Sequence, residues 1–160
     1  MVENPADKIP AELRKHGDKI RKTIKDLKKK KPGNLDAKFG DLHEEVFSEI
    51  DCLTCGNCCK TTSPMLFEKD IERLAAALKM RIGNFVETYL YMDTDGLYAM
   101  KQTPCPFLGS DNYCMVYDAR PKACREYPHT NQRKMHTLLS LAETNATICP
   151  AVLEIIKRFE

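Results

Sequence analysis

Cys52-Leu53-Thr54-Cys55-Gly56-Asn57-Cys58-Cys59 is the stretch that decides how this chain reads. Its four thiols are spaced CxxCxxCC. The first three recur every third residue, so one tight loop can turn them toward a single point. Local cysteine runs hold iron–sulfur clusters in this way, and CxxC knuckles grip zinc. The adjacent pair Cys58-Cys59 is different. Successive side chains diverge, so one of the two faces a second site or a different partner.

Working outward, the other thiols are Cys105, Cys114, Cys124 and Cys149, each at a turn or an element end in the reading below. Eight thiolates build two four-cysteine sites, or one such site plus a second with open or substituted coordination. The plain alternative for any one of them is a buried free thiol. Met1-Val2-Glu3-Asn4-Pro5-Ala6-Asp7 has no apolar signal region, and no apolar run approaches the roughly 20 residues of a membrane span. The expectation is a cytoplasmic chain with no membrane partner, in which clustered cysteines bind metal rather than pair as disulfides. Soft thiolates suit zinc and iron–sulfur clusters alike. The triple repeat, and the prolines that follow Cys105 and Cys149, favour iron–sulfur by a small margin.

Arg120, Arg125 and Lys60 lie near cysteines in the chain. Arg120 and Arg125 are the candidates to hydrogen-bond thiolates or a bound cofactor; the alternative for Arg120 is a surface bridge to Asp118 or Glu126. No GxGxxG, Walker, HExxH or GxSxG motif occurs, so no catalytic residue is assigned. His43 reads as a rim residue, and His129 and His136 have no assigned place. Residues 1–31 carry eleven Lys/Arg against five Asp/Glu, a net of +6, while the whole chain carries only +2. Lys28 to Lys31 have no interleaved aromatics, which speaks for a solvated helix end and against nucleic acid. A protein partner is expected, of unknown identity.

The apolar spacing predicts a helix over Pro10–Leu27, stopped by Pro32-Gly33, and a second from Asn34 to the cysteine loop. Ser63 and Pro64 read as the start of a helix with Ile71, Leu74, Ala75 and Leu78 buried, and Gly83-Asn84 as its break before a short helix to Leu90. Asp93-Thr94-Asp95-Gly96 is turn chemistry. Leu97–Lys101, Tyr113–Tyr117 and Met135–Leu141 read as strands, Arg120–Pro128 as one helical turn, Ala142–Thr147 as a loop, and Pro150 as the start of a last amphipathic helix.

CxxCxxCC followed by Glu68-Lys69-Asp70-Ile71-Glu72-Arg73-Leu74-Ala75 resembles the YkgJ-type cysteine-cluster family of zinc- or iron-chelating domains. The second half carries the resemblance on: Cys105-Pro106-Phe107-Leu108, Cys114-Met115-Val116-Tyr117, Arg120-Pro121, Cys124-Arg125 and Tyr127-Pro128. It covers about residues 50–150. It implies that Cys52, Cys55, Cys58, Cys59, Cys105, Cys114, Cys124 and Cys149 are metal ligands in a bacterial protein. Bacterial flagellin lysine methylases contain a similar cysteine array, which implies iron–sulfur chemistry and methyl transfer for some members. This chain is short beside them, and residues 1–49 lie outside the match.

The expected fold is α+β: a small, irregular, mostly helical domain with short strands over residues 50–160, pinned by cysteine-bound metal, plus an N-terminal helical hairpin over 1–49. The expected function is metal binding, with iron–sulfur ahead of Zn2+ at one or two sites, in electron transfer or as an accessory to a modifying enzyme. The alternatives are a metal-dependent protein-modifying enzyme acting on lysine-like substrates, and a structural zinc domain that binds a partner.

Overall fold

The computed structural model describes residues 3–159. Its helices, in chain order, are α1 (Ile9–Lys30), α2 (Leu35–Glu49), α3 (Cys52–Cys55), α4 (Asn57–Thr61), α5 (Glu68–Ala77), α6 (Ile82–Tyr89), α7 (Lys122–Glu126), α8 (Met135–Asn145) and α9 (Pro150–Lys157). Three short strands, β1 (Met65–Leu66), β2 (Leu90–Met92) and β3 (Tyr98–Met100), form an antiparallel sheet in the order β1-β3-β2. The fold is therefore α+β and mostly helical. No helix among the described residues is long and apolar enough to cross a membrane.

The chain divides into two compact units, cut between Asn57 and Cys58 and between Tyr127 and Pro128. The first unit joins the chain through Asn57 to the chain from Pro128 onward. Its core is one cluster to which α1, α2, α8 and α9 all contribute. On α1, Ile20 and Ile24 are buried and Leu13 and Leu27 pack at the margin, as their spacing requires. Lys31 turns left-handed (φ 44°) to close α1 just before Pro32. Phe39 of α2 meets Phe159 with ring centroids 4.6 Å apart. Val152, Ile155 and Ile156 present the buried face of α9. Each fully buried aliphatic side chain of this kind contributes about 1.5–3 kcal/mol. The two N-terminal helices thus share their core with the two C-terminal ones.

Met135–Leu141 is helix, not strand, and the helix continues through the expected loop to Asn145. Met135, Leu139 and Ala142 are buried at helical spacing. Lys134, left-handed at φ 60°, supplies no side-chain cap. Asp36 supplies it from α2: its carboxylate accepts the Lys134 and Met135 N–H groups, both at 2.8 Å. His43 is half-buried, with Nδ1 2.8 Å from the Thr130 hydroxyl.

The second unit is the continuous segment Cys58–Tyr127. Its own core gathers Leu66, Ile71, Leu74, Phe85, Leu90 and Phe107 with their neighbours. Ser63-Pro64 does not start a helix. The Ser63 hydroxyl accepts the Met100 N–H at 2.8 Å, and the next two residues pair with β3. Helix α5 begins only at Glu68, where Asp70 reaches back to the Phe67 N–H. Gly83-Asn84 lies inside α6. The break comes earlier, where Lys79 turns left-handed at φ 54° and the Met80 N–H bonds back to Ala75. Asp93 makes the predicted turn, its carboxylate accepting from the Asp95 and Leu97 N–H groups. Tyr113–Tyr117 is not a strand: a single bridge joins Leu108 to Cys114, and the chain then enters a 3-10 turn at Tyr117–Ala119.

Candidate metal centre

All eight cysteines are free thiols; Cys55 is buried, Cys52 is exposed, and the other six are half-buried. The units divide them.

In the first unit, the carboxylate of Asp51 caps α3 through the Leu53 N–H at 2.9 Å. Gly56, left-handed at φ 60°, closes the turn with its N–H on the Cys52 carbonyl at 2.9 Å. This single turn carries Cys52 and Cys55. The Asn4 side chain fastens it from outside, donating to the Cys55 carbonyl at 2.9 Å. Asn57 donates its side-chain N–H to the Ile148 carbonyl at 2.7 Å, bringing in the residue before Cys149. Cys149 stands at the N-terminal end of α9. Burial pushes its thiol up to about 11, the Val152 and Ala151 amides work against that, and the neighbouring Cys52 and Cys55 add to it. Cys52, Cys55 and Cys149 are therefore electrostatic neighbours.

In the second unit, Cys58 and Cys59 follow each other on α4, with their sulfurs 4.0 Å apart. The Cys105 N–H donates to the Cys59 carbonyl at 2.8 Å. A turn from Cys105 to Leu108 and the Leu108–Cys114 bridge carry the chain to the next thiol, with Met115 N–H on the Phe107 carbonyl at 2.8 Å. Cys124 lies in the middle of α7.

The thiols of this unit affect one another. Burial raises Cys105 and Cys114, and the charge of Cys59 raises both further. Cys124 is pushed up to about 12, by burial first and then by Cys59, Cys105 and Cys114. Cys59 goes the other way, to about 7, because the Cys58 thiol hydrogen-bonds to it and Arg120 and Lys60 lend positive charge. A metal bound here displaces the protons of the raised thiols, so its affinity increases with pH.

Arg120 lies near these thiols, but its geometry differs from a bridge to Asp118 or Glu126. Its guanidinium covers the Tyr117 ring, 3.4 Å from the centroid, and its Nε donates to the Tyr117 carbonyl at 2.7 Å. Glu126 pairs with Lys122 instead. Arg125 donates to the Arg120 carbonyl at 2.9 Å, so it holds the turn that carries Arg120.

Sequence reasoning missed the brace behind this turn. Asp70 is 3% exposed. Its carboxylate accepts from the Phe67 N–H at 3.1 Å, from Arg73 at 2.6 Å and from the Lys122 N–H at 3.0 Å. Arg73 in turn donates to the Arg120 carbonyl at 2.7 Å and the Ala119 carbonyl at 3.3 Å. The pair fixes the start of α7, and with it the approach to Cys124. The only local signal was an Asp–Arg pair three residues apart on one helix face.

Among the described residues, no three His, Cys, Asp or Glu side chains already stand in a metal-ligand arrangement. The all-sulfur character of the two groups and their partial burial suit a soft metal. A family model described as CxxCxxCC, "Putative zinc- or iron-chelating domain", matches residues 51–149. No curated protein and no solved structure matches the chain.

Proposed function

The chain belongs to the CxxCxxCC family of zinc- or iron-chelating domains, and from that premise we propose that it holds an iron–sulfur cluster in preference to zinc and serves electron transfer or a modifying enzyme as an accessory. The observation that carries this reading is the donor set. Seven of its eight thiols are at least partly withdrawn from water, and all are free. Such a set has no use for hard cations. Bound there, an iron–sulfur cluster supplies one-electron transfer, with a potential set by burial and by hydrogen bonds to sulfur. The chain's own part is to hold the thiols, to place the Arg120 charge near Cys59 and Cys114, and to limit water.

Anaerobic purification with iron, zinc and acid-labile sulfide analysis and a visible spectrum tests it. Iron with sulfide and a broad absorption near ~400 nm supports the reading. Stoichiometric zinc in a colourless protein overturns the redox role and leaves a structural domain for partner binding.

A further inference from the structure

Resting on the reading of the thiols as metal ligands, we propose that the chain carries two separate metal sites: Cys59, Cys105, Cys114 and Cys124 ligate one metal centre within the second unit, and Cys52, Cys55 and Cys149 belong to the other. The CxxCxxCC run is then no single ligand set but is divided between two sites.

Backbone geometry carries the inner set. The Cys105 N–H on the Cys59 carbonyl fixes two of its members side by side. The short turn to Leu108 and the Leu108–Cys114 bridge hold the third on the same loop. The Asp70–Arg73 brace sets the start of α7 and so the fourth. Cys59, Cys105, Cys114 and Cys124 already make four thiolate ligands, so the inner centre does not require Cys58, although its sulfur lies 4.0 Å from that of Cys59.

The outer set has its own ties. One turn, capped by Asp51 and closed by Gly56, carries Cys52 and Cys55, and the bond from Asn57 to the Ile148 carbonyl brings Cys149 to them.

The test is metal stoichiometry in the full-length chain, by elemental analysis and native mass spectrometry. Wild type holds two metal centres. Cys59→Ser, Cys105→Ser and Cys124→Ser each halve the metal, Cys149→Ser halves it as well, and Cys105→Ser with Cys149→Ser removes nearly all. Cys58→Ser keeps the inner centre, which separates it from its neighbour. A single centre that Cys105→Ser and Cys149→Ser each abolish overturns the division, as does a Cys58→Ser variant that loses the inner centre while Cys59→Ser keeps it. If wild type binds no metal at all, the functional reading itself fails. Where a variant does not fold, wild-type chains carrying one centre are alkylated and fragmented. Protection confined to one set within each molecule supports the proposal, and protection shared between the sets overturns it.

Discussion

Replacing Asp70 by alanine tests the brace that seats the second unit's last thiol. Three hydrogen bonds end on this carboxylate. Loss of the cap on the Phe67 N–H costs about 1 kcal/mol. The Arg73 pair is one-third exposed on the arginine side, so screening reduces its share to about 0.5–1 kcal/mol. The Lys122 N–H, left without its acceptor, costs about 1–2 kcal/mol more. Together Asp70→Ala destabilises the unit by about 2.5–4 kcal/mol. The assay is built into the chain. All six tyrosines fall between Tyr89 and Tyr127 and there is no tryptophan, so tyrosine fluorescence during urea unfolding of the metal-free protein reports on the second unit. Burial pushes the Asp70 carboxyl up, but the Phe67 amide, Arg73 and the Lys122 amide outweigh it and hold the group below its ordinary value. Its contribution is therefore complete above the unfolded carboxylate value of about 3.9 and is lost as pH falls through the lower folded value. Asp70→Asn removes that part of the acid slope. A loss below ~1 kcal/mol for Asp70→Ala would refute the brace as a structural element.

Three further outcomes are expected. Ile24→Ala, at a side chain 1% exposed, costs about 2–5 kcal/mol by urea unfolding followed through helical circular dichroism; a change within ~0.5 kcal/mol places α1 outside the core. In the metal-free protein, Arg120→Ala shifts alkylation of Cys59 to higher pH, because a positive charge that favours the thiolate is gone; an unmoved midpoint removes Arg120 from the site. Asp36→Ala lowers the thermal midpoint by unfastening the start of α8, which a melting curve reads directly.

Legibility followed sequence distance. Helices α1, α2 and α9 were readable because each carries an apolar stripe a few residues apart, and the Asp93 turn because its bonds close within four residues. The reading failed where a distant residue decides. Ser63-Pro64 has the residue types of a helix start, but the Met100 N–H claims the serine hydroxyl. Met135–Leu141 is apolar enough for either structure, and Asp36, nearly a hundred positions earlier, starts it as a helix. The eight ligand candidates could be named from their type and spacing. Their neighbours in space could not, because those depend on bonds such as Cys105 to Cys59 and Asn57 to Ile148.

Chain topology gives the grouping a physical logic. In the sequence the second unit is one continuous segment that interrupts the first, so its thiols, from Cys59 to Cys124, fall between Cys55 and Cys149 along the chain. A metal on the inner set closes loops that lie wholly inside that segment. A metal on the outer set closes the long loop that contains it. Loop-closure entropy increases only slowly with length, so the long outer loop costs little more than the inner ones. Nested ligation can therefore stabilise each unit through its own thiols.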